Sequence, residues 1–197
     1  ILAFSYFFIY VVRTAVNDWG ALYLVKHKNY AMVTAATAIT WFEIGGFLGI
    51  LVAGWFSDFL LGGRRIPYIL YSSLLLIPIS ITLWLASQNN VLLDYLIIGV
   101  LGFLVFGPQL LIGLAAAEFV DKSLACTANG FAGWFAYLGA ACAGYPLGKV
   151  IDTWQWDGFF IVLIVCSFAA YGVLLPIASK KAKLAPVQKY KEKLKTA

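Results

Sequence analysis

The chain has 197 residues, 62% hydrophobic and 17% aromatic but only 12% charged, with a mean hydropathy of +0.88. A soluble domain of this length could not hide that much apolar surface, so lipid must be its solvent. The net charge is +5, with one histidine, and Cys126, Cys142 and Cys166 lie in apolar runs without metal-ligand spacing. That pattern argues against a disulfide framework or a metal site and reads as small buried thiols.

Six apolar segments emerge in chain order, at about 1–24, 31–56, 67–87, 92–117, 125–150 and 158–178. Each approaches the ~20 residues that a helix needs to cross a hydrocarbon core of ~30 Å. Short polar stretches join them: KHKN, SDFLLGGRRIP, SQNN, EFVDKS and DTWQWD. The fold class expected is therefore all-α and integral to a membrane. Residue 1 is Ile, and the first run lacks a basic leader, so no cleavable signal peptide is visible. The chain reads as a piece of a longer protein that begins inside a membrane helix.

The first span raises the main functional question. Ahead of Arg13 it has no charged side chain, and Arg13 itself lies about 11 residues from the outer end. At 1.5 Å per residue that places it ~16–18 Å deep, near the bilayer midplane. Glu43 reaches a similar depth on the second span. An ionisable group there costs at least ~2.5–3.5 kcal/mol unless it faces protein or water. At 100° per residue, Tyr6, Tyr10, Arg13 and Asn17 share one narrow sector of the first helix, as the wall of a wet cavity would require. On the second span the corresponding stripe is shorter, with Thr40 and Glu43 as its polar members. Gln109 on the fourth span, and Asn129 and Tyr137 on the fifth, complete the candidate cavity lining. The competing reading is a structural Arg13–Glu43 ion pair. The guanidinium's planar fork of donors instead suits a phosphate. Asp18 lies ~140° around the helix from Arg13 and is expected to cap or pair locally.

Charge sets the orientation. Arg64, Arg65, Lys122 and seven lysines after residue 179 fall on one side, against Lys26, Lys28 and Lys149 on the other. Lys and Arg accumulate in cytoplasmic loops, so the 57–66 turn and the 179–197 tail should face the cytoplasm. A nucleic-acid arm is the competing reading of that tail, but positive-inside topology already accounts for its lysines. No nucleic-acid partner is expected, and anionic lipid is the more natural one. Strings of the HExxH, GxSxG or Walker type are absent, and His27 reads as a solvated loop residue, so an enzyme is not expected. Nor does anything in the sequence call for a cofactor.

Glycine is dense on spans two, four and five, where close helix packing or bending is expected. The turn GWFSDFLLGGRR carries the most specific short pattern: Gly54, Asp58, Gly63, Arg64 and Arg65. It resembles the G-x-x-x-D…G-[RK]-[RK] loop of the major facilitator superfamily, although four residues separate Asp58 from Gly63 where two are commoner. Asp58 is expected to meet a helix N-terminus or a neighbouring basic group. The stretches YVVRTAVNDWG, WFEIGGFLGILVAGWFSD, LGFLVFGPQLLIGLAAAEFVDKSLACTANGFAGWFAYLG and WQWDGFF are similar to the C-terminal half of an organophosphate:phosphate antiporter. The likeness is strongest to hexose-phosphate (glucose 6-phosphate) carriers and their receptor-like relatives.

That resemblance implies six transmembrane helices, the C-terminal half of a twelve-helix transporter, with a matching N-terminal half elsewhere. It further implies Arg13 as the phosphate-binding arginine, Glu43 as an intramembrane glutamate, and exchange of sugar phosphate for inorganic phosphate across a bacterial inner membrane. The alternative function is a membrane receptor that senses external sugar phosphate and signals to a partner kinase. One departure concerns helix 11 of the family, where carriers place an acid and a lysine three residues apart. The aligned positions here are Asn129 and Ala132, a difference that bears on sugar choice rather than on fold.

Overall fold

The structure is a computed structural model that describes residues 1–86 and 90–177. Its elements are helical throughout. Six α-helices follow one another: α1 (Leu2–Lys26), α2 (Met32–Phe59), α3 (Arg65–Leu85), α4 (Val91–Glu118), α5 (Ala125–Ala143) and α6 (Tyr145–Leu174). Short 3-10 turns at Lys122–Leu124 and Leu175–Ile177 flank the last two helices. The Lys-rich tail expected at 179–197 lies outside the described residues.

Four stretches among the described residues are long and apolar enough to cross a membrane: α2, α3, α4 and the continuous run Lys122–Ile177 that contains α5 and α6. The chain is thus a multi-pass, all-helical membrane protein. α1 is not among the four, although it is 25 residues long. Arg13, Asn17 and Asp18 lower its hydropathy, so the span that carries the polar stripe is also the one whose apolar character is weakest.

The fifth and sixth spans differ from the sequence expectation. The region expected as one helix over 125–150 is interrupted at Gly144 (φ −80°, ψ −113°), two residues before Pro146. Proline has no N–H for the carbonyl of Cys142 four residues back, so the helix cannot run through unbroken. The Trp19 indole of α1 reaches this break and donates to the carbonyl of Ala143 at 2.8 Å. DTWQWD, expected as a loop, is helical on both sides of one kinked residue, Gln155 (φ 55°, ψ −150°). A left-handed φ on a glutamine costs free energy, and packing of its neighbours must hold it. Trp156 is buried against Tyr23, and Asp157 accepts from the Trp84 indole at 3.0 Å.

α2 and α4 form the tightest seam. A Cβ on Gly45 would run into the carbonyl of Gly99, one on Gly49 into that of Phe103, and one on Gly102 into that of Phe42. Small residues let the two backbones meet, which is how helices gain packing contacts in lipid. Gly139 on α5 lets α1 approach in the same way at the Phe7 carbonyl. Gly54, Gly130 and Gly133 face open space instead, so those three are not seam residues. α1 and α4 thus each neighbour both α2 and α5, and α3 and α6 pack behind them on α4 and α1. Of the three thiols, Cys166 is buried as expected, whereas Cys126 and Cys142 are exposed on α5.

Candidate functional site

The polar stripe of α1 folds into a cluster with α4 and α5. Arg13 Nη1 donates to the Tyr10 hydroxyl at 3.3 Å, and Gln109 Nε2 donates to the same oxygen at 3.3 Å. The guanidinium carbon lies 4.6 Å from the Phe106 ring centroid and 5.4 Å from that of Tyr10. Tyr6 meets Tyr10 edge-on at 5.1 Å, and the Tyr137 ring of α5 lies 5.9 Å from it. Helical spacing explains the α1 members: Tyr6, Tyr10 and Arg13 are four and three residues apart, hence on one face. Phe106 and Gln109 are likewise one turn apart on α4. Four of the expected lining residues, Tyr6, Tyr10, Gln109 and Tyr137, thus meet in one place, around the Arg13 guanidinium, which is only partly buried.

The remaining candidates do not join that cluster. Asn17 is exposed and donates to the Asp18 carboxylate at 3.0 Å, so Asp18 does pair locally. Thr40 donates to the Ala36 carbonyl of its own helix, a bond within α2. Glu43 is exposed, and no ion pair joins it to Arg13 among the described residues. The structural ion pair weighed as an alternative is therefore not formed here. Asn129 is exposed, with Oδ1 close to the Cα of Gly113, where a Cβ would come within 3.1 Å. Ala132, which the resemblance sets against a lysine of the carriers, is 2% exposed, so a side chain there points into helix packing.

Phe106 is the residue that reading the sequence missed. An aromatic residue among LGFLVFGPQ looks like any other apolar position, and only its place one turn before Gln109 marks it. Its ring also covers Gly46 of α2, where a Cβ would come within 2.6 Å. The α2–α4 seam thereby sets the position of the surface over the guanidinium.

At one end of the bundle the 54–65 turn is closed by Arg65. Its guanidinium pairs with Asp58, donates to Ser57 Oγ at 2.9 Å, and meets Glu118 at the end of α4 at 3.1 Å. Asp58 thus pairs with the neighbouring basic group, and the N-cap residue of α3, Arg64, makes no side-chain cap bond of its own. Gly62 and Gly63 have φ of +59° and +78°, which is what the turn requires of glycine. Glu118 was not foreseen, although EFVDKS places an acid on the same side as Arg65. At the other end Lys28 and Asp94 form an ion pair at 2.6 Å with both side chains 1% exposed, and Tyr30 donates to the second carboxylate oxygen at 2.7 Å.

No family model matches the chain. It is 51% identical over 176 residues to a probable hexose phosphate transport protein of Chlamydia pneumoniae, covering 89% of this chain and 39% of that protein. It is 48% identical over 177 residues to the membrane sensor protein UhpC of Escherichia coli K12, covering 89% of this chain and 40% of the sensor. Against the hexose-6-phosphate:phosphate antiporter of Escherichia coli K12 it is 34% identical over 185 residues, 90% of this chain and 39% of the antiporter. By name these relatives are a hexose phosphate transport protein, a membrane sensor and a hexose-6-phosphate:phosphate antiporter, the organophosphate:phosphate antiporter family and its sensors that the sequence resembles. The chain belongs to this family. It spans about two fifths of the length of the curated relatives it matches. The Arg13 cluster and the Arg65 turn thus lie in a chain homologous to hexose phosphate transport and sensor proteins over about two fifths of their length.

Proposed function

We propose that the chain is the C-terminal, six-span half of a twelve-helix transporter that exchanges sugar phosphate for inorganic phosphate. Arg13 binds the phosphate. The single observation that carries this is a guanidinium held by neutral groups, the Tyr10 hydroxyl and the Phe106 and Tyr10 rings, with no carboxylate paired to it among the described residues. A cation kept so within a membrane protein is available to a visiting anion, and its fork can take two phosphate oxygens at once. Glu43, Thr40, Asn17, Asn129 and Tyr137 would line the wider cavity shared with the N-terminal half. In this reading α1 runs from inside to outside. The Arg65 turn and the 179–197 tail then lie on the cytoplasmic face of a bacterial inner membrane. Alternating access would come from rocking the two halves around the site.

The test is Arg13→Lys in the complete protein, reconstituted in liposomes loaded with inorganic phosphate. Charge is kept and the bidentate fork is lost, so exchange should fall at least about a hundredfold. Near wild-type exchange by a normally inserted variant would overturn the role of Arg13. A second reading, a receptor that binds external sugar phosphate and signals to a partner kinase, is favoured by one observation. The chain is 48% identical to the sensor, against 34% to the antiporter and 51% to the probable transport protein. Retained binding without flux in the same liposomes would select it.

A further inference from the structure

The Arg13 cluster contains one polar atom that the phosphate reading does not use. Gln109 gives its amide nitrogen to Tyr10, while its carbonyl oxygen, Oε1, is buried with no hydrogen-bond partner among the described residues. Leaving such an acceptor unanswered costs about 1–3 kcal/mol, so a partner is expected whenever the site is filled. The phosphoryl group of a sugar phosphate cannot supply it, because a phosphate monoester dianion only accepts, and the P–OH that inorganic phosphate keeps stands where the ester bond to the sugar would be. Tyr10, by contrast, receives both Arg13 and Gln109 on its oxygen, which leaves its own proton to donate. The cluster is therefore two-sided. Arg13 and Tyr10 are donors, suited to an anion, and one amide oxygen beside them is an acceptor, suited to a hydroxyl.

We propose that Gln109 is the specificity residue that recognises the polyol part of the substrate, its Oε1 accepting a hydroxyl proton from the sugar while the phosphate rests on Arg13 and Tyr10. The proposal rests on the sugar-phosphate reading and adds the group that separates a sugar phosphate from inorganic phosphate at the same site. The Gln109 side chain is only half-buried, and the terminal torsion of a glutamine is broad, so a small rotation presents Oε1 to a ligand. Its neighbour Phe106 covers the guanidinium and leaves Gln109 as the polar group one turn further along α4.

Equilibrium binding by titration calorimetry on the complete protein in detergent tests this without requiring flux. The probes are inorganic phosphate, glucose 6-phosphate and its monodeoxy analogues, on wild type and on Gln109→Leu, with Gln109→Met as a second variant of closer length. Wild type should bind one deoxy analogue about tenfold more weakly than glucose 6-phosphate, the scale of one buried hydrogen bond. In both variants the loss for glucose 6-phosphate should exceed the loss for inorganic phosphate by about tenfold, and that analogue should suffer no additional loss. Equal losses for both ligands would overturn the proposal and make Gln109 only a prop for Tyr10, as would unchanged affinities or a wild type indifferent to every deoxy analogue. Wild type binding neither phosphate nor sugar phosphate would overturn the parent reading, whereas wild-type binding with unselective variants overturns this one alone.

Discussion

Lys28 and Arg13 are both cations in a chain of apolar helices, and they are treated in opposite ways. Lys28 is answered in full: a carboxylate at 2.6 Å, both side chains out of solvent, and a tyrosine on the second oxygen of that carboxylate. Arg13 is answered by a phenol and two ring faces, and no acid pairs with it among the described residues. On the proposed function, the contrast separates a charge that holds the fold from a charge left open to a ligand. A paired buried cation has spent its electrostatic attraction within the protein. An unpaired one keeps a positive field for whatever enters, at a cost to the empty state. Arg65 lies between the two, shared by two carboxylates that remain partly exposed.

The largest expected effect on stability comes from breaking the fully answered pair. Lys28→Met leaves the Asp94 carboxylate buried without its counter-ion, which costs about 3–5 kcal/mol. Thermal unfolding of the complete protein in detergent should show it. The double variant Lys28→Met/Asp94→Leu should recover most of the loss, because no orphaned charge remains. A double variant as unstable as the single one would mean that the pair does more than neutralise itself.

The helix seam ranks next. Gly102→Ala drives a methyl group into the Phe42 carbonyl and should cost about 1–3 kcal/mol by overpacking. Gly54→Ala, whose Cβ would face open space, should be close to neutral and is the matched control. If both behave alike, the seam is looser than its geometry implies.

The Arg65 cluster should contribute about 1 kcal/mol or less to stability, because its acids are partly exposed and screened. Its removal should show in rate instead. Asp58→Asn and Glu118→Gln each leave Arg65 one carboxylate, whereas Arg65→Gln removes both links between α2, α3 and α4. Phosphate exchange in liposomes should therefore slow most in Arg65→Gln, with substrate affinity retained in all three. A selective loss of affinity would place this turn in the binding site rather than at a moving joint.

Much of this was legible in the sequence because periodicity and charge are local properties. The apolar runs, the one-sided stripe of Tyr6, Tyr10 and Arg13, and the glycine-rich turn before Arg65 all follow from spacing along a single helix or loop. What escaped needs two helices at once. Asp94 sits at the start of α4, where an acid reads as a helix-end charge, and only the fold brings Lys28 and Tyr30 to it. Phe106 becomes part of the site only because α4 lies against α1. The kink at Gln155 escaped for a different reason, since neither Gly nor Asn marks that left-handed position. Thr40 and Glu43 lie outside the Arg13 cluster, and their stripe on α2 could not show that. A helical stripe puts residues on one face, but it does not say which helix that face will meet.

Removing Arg13 should disturb the fold least, and this sharpens the contrast with Lys28. Arg13→Met deletes a hydrogen bond to Tyr10 and two ring contacts, with cation–π terms of about 0.5–2 kcal/mol. It also removes the cost of a partly buried charge that no acid offsets, and it orphans no carboxylate, so the two changes oppose each other. The net shift in unfolding free energy should stay under about 1 kcal/mol in the absence of ligand. With inorganic phosphate present the difference must grow, because a ligand stabilises only the protein that binds it, by about 2.7 kcal/mol at a hundred times its dissociation constant. Wild type should therefore unfold at a higher temperature as phosphate is added, while Arg13→Met should not respond. A ligand-free loss on the scale of Lys28→Met would assign Arg13 to the scaffold and remove the distinction between the two cations.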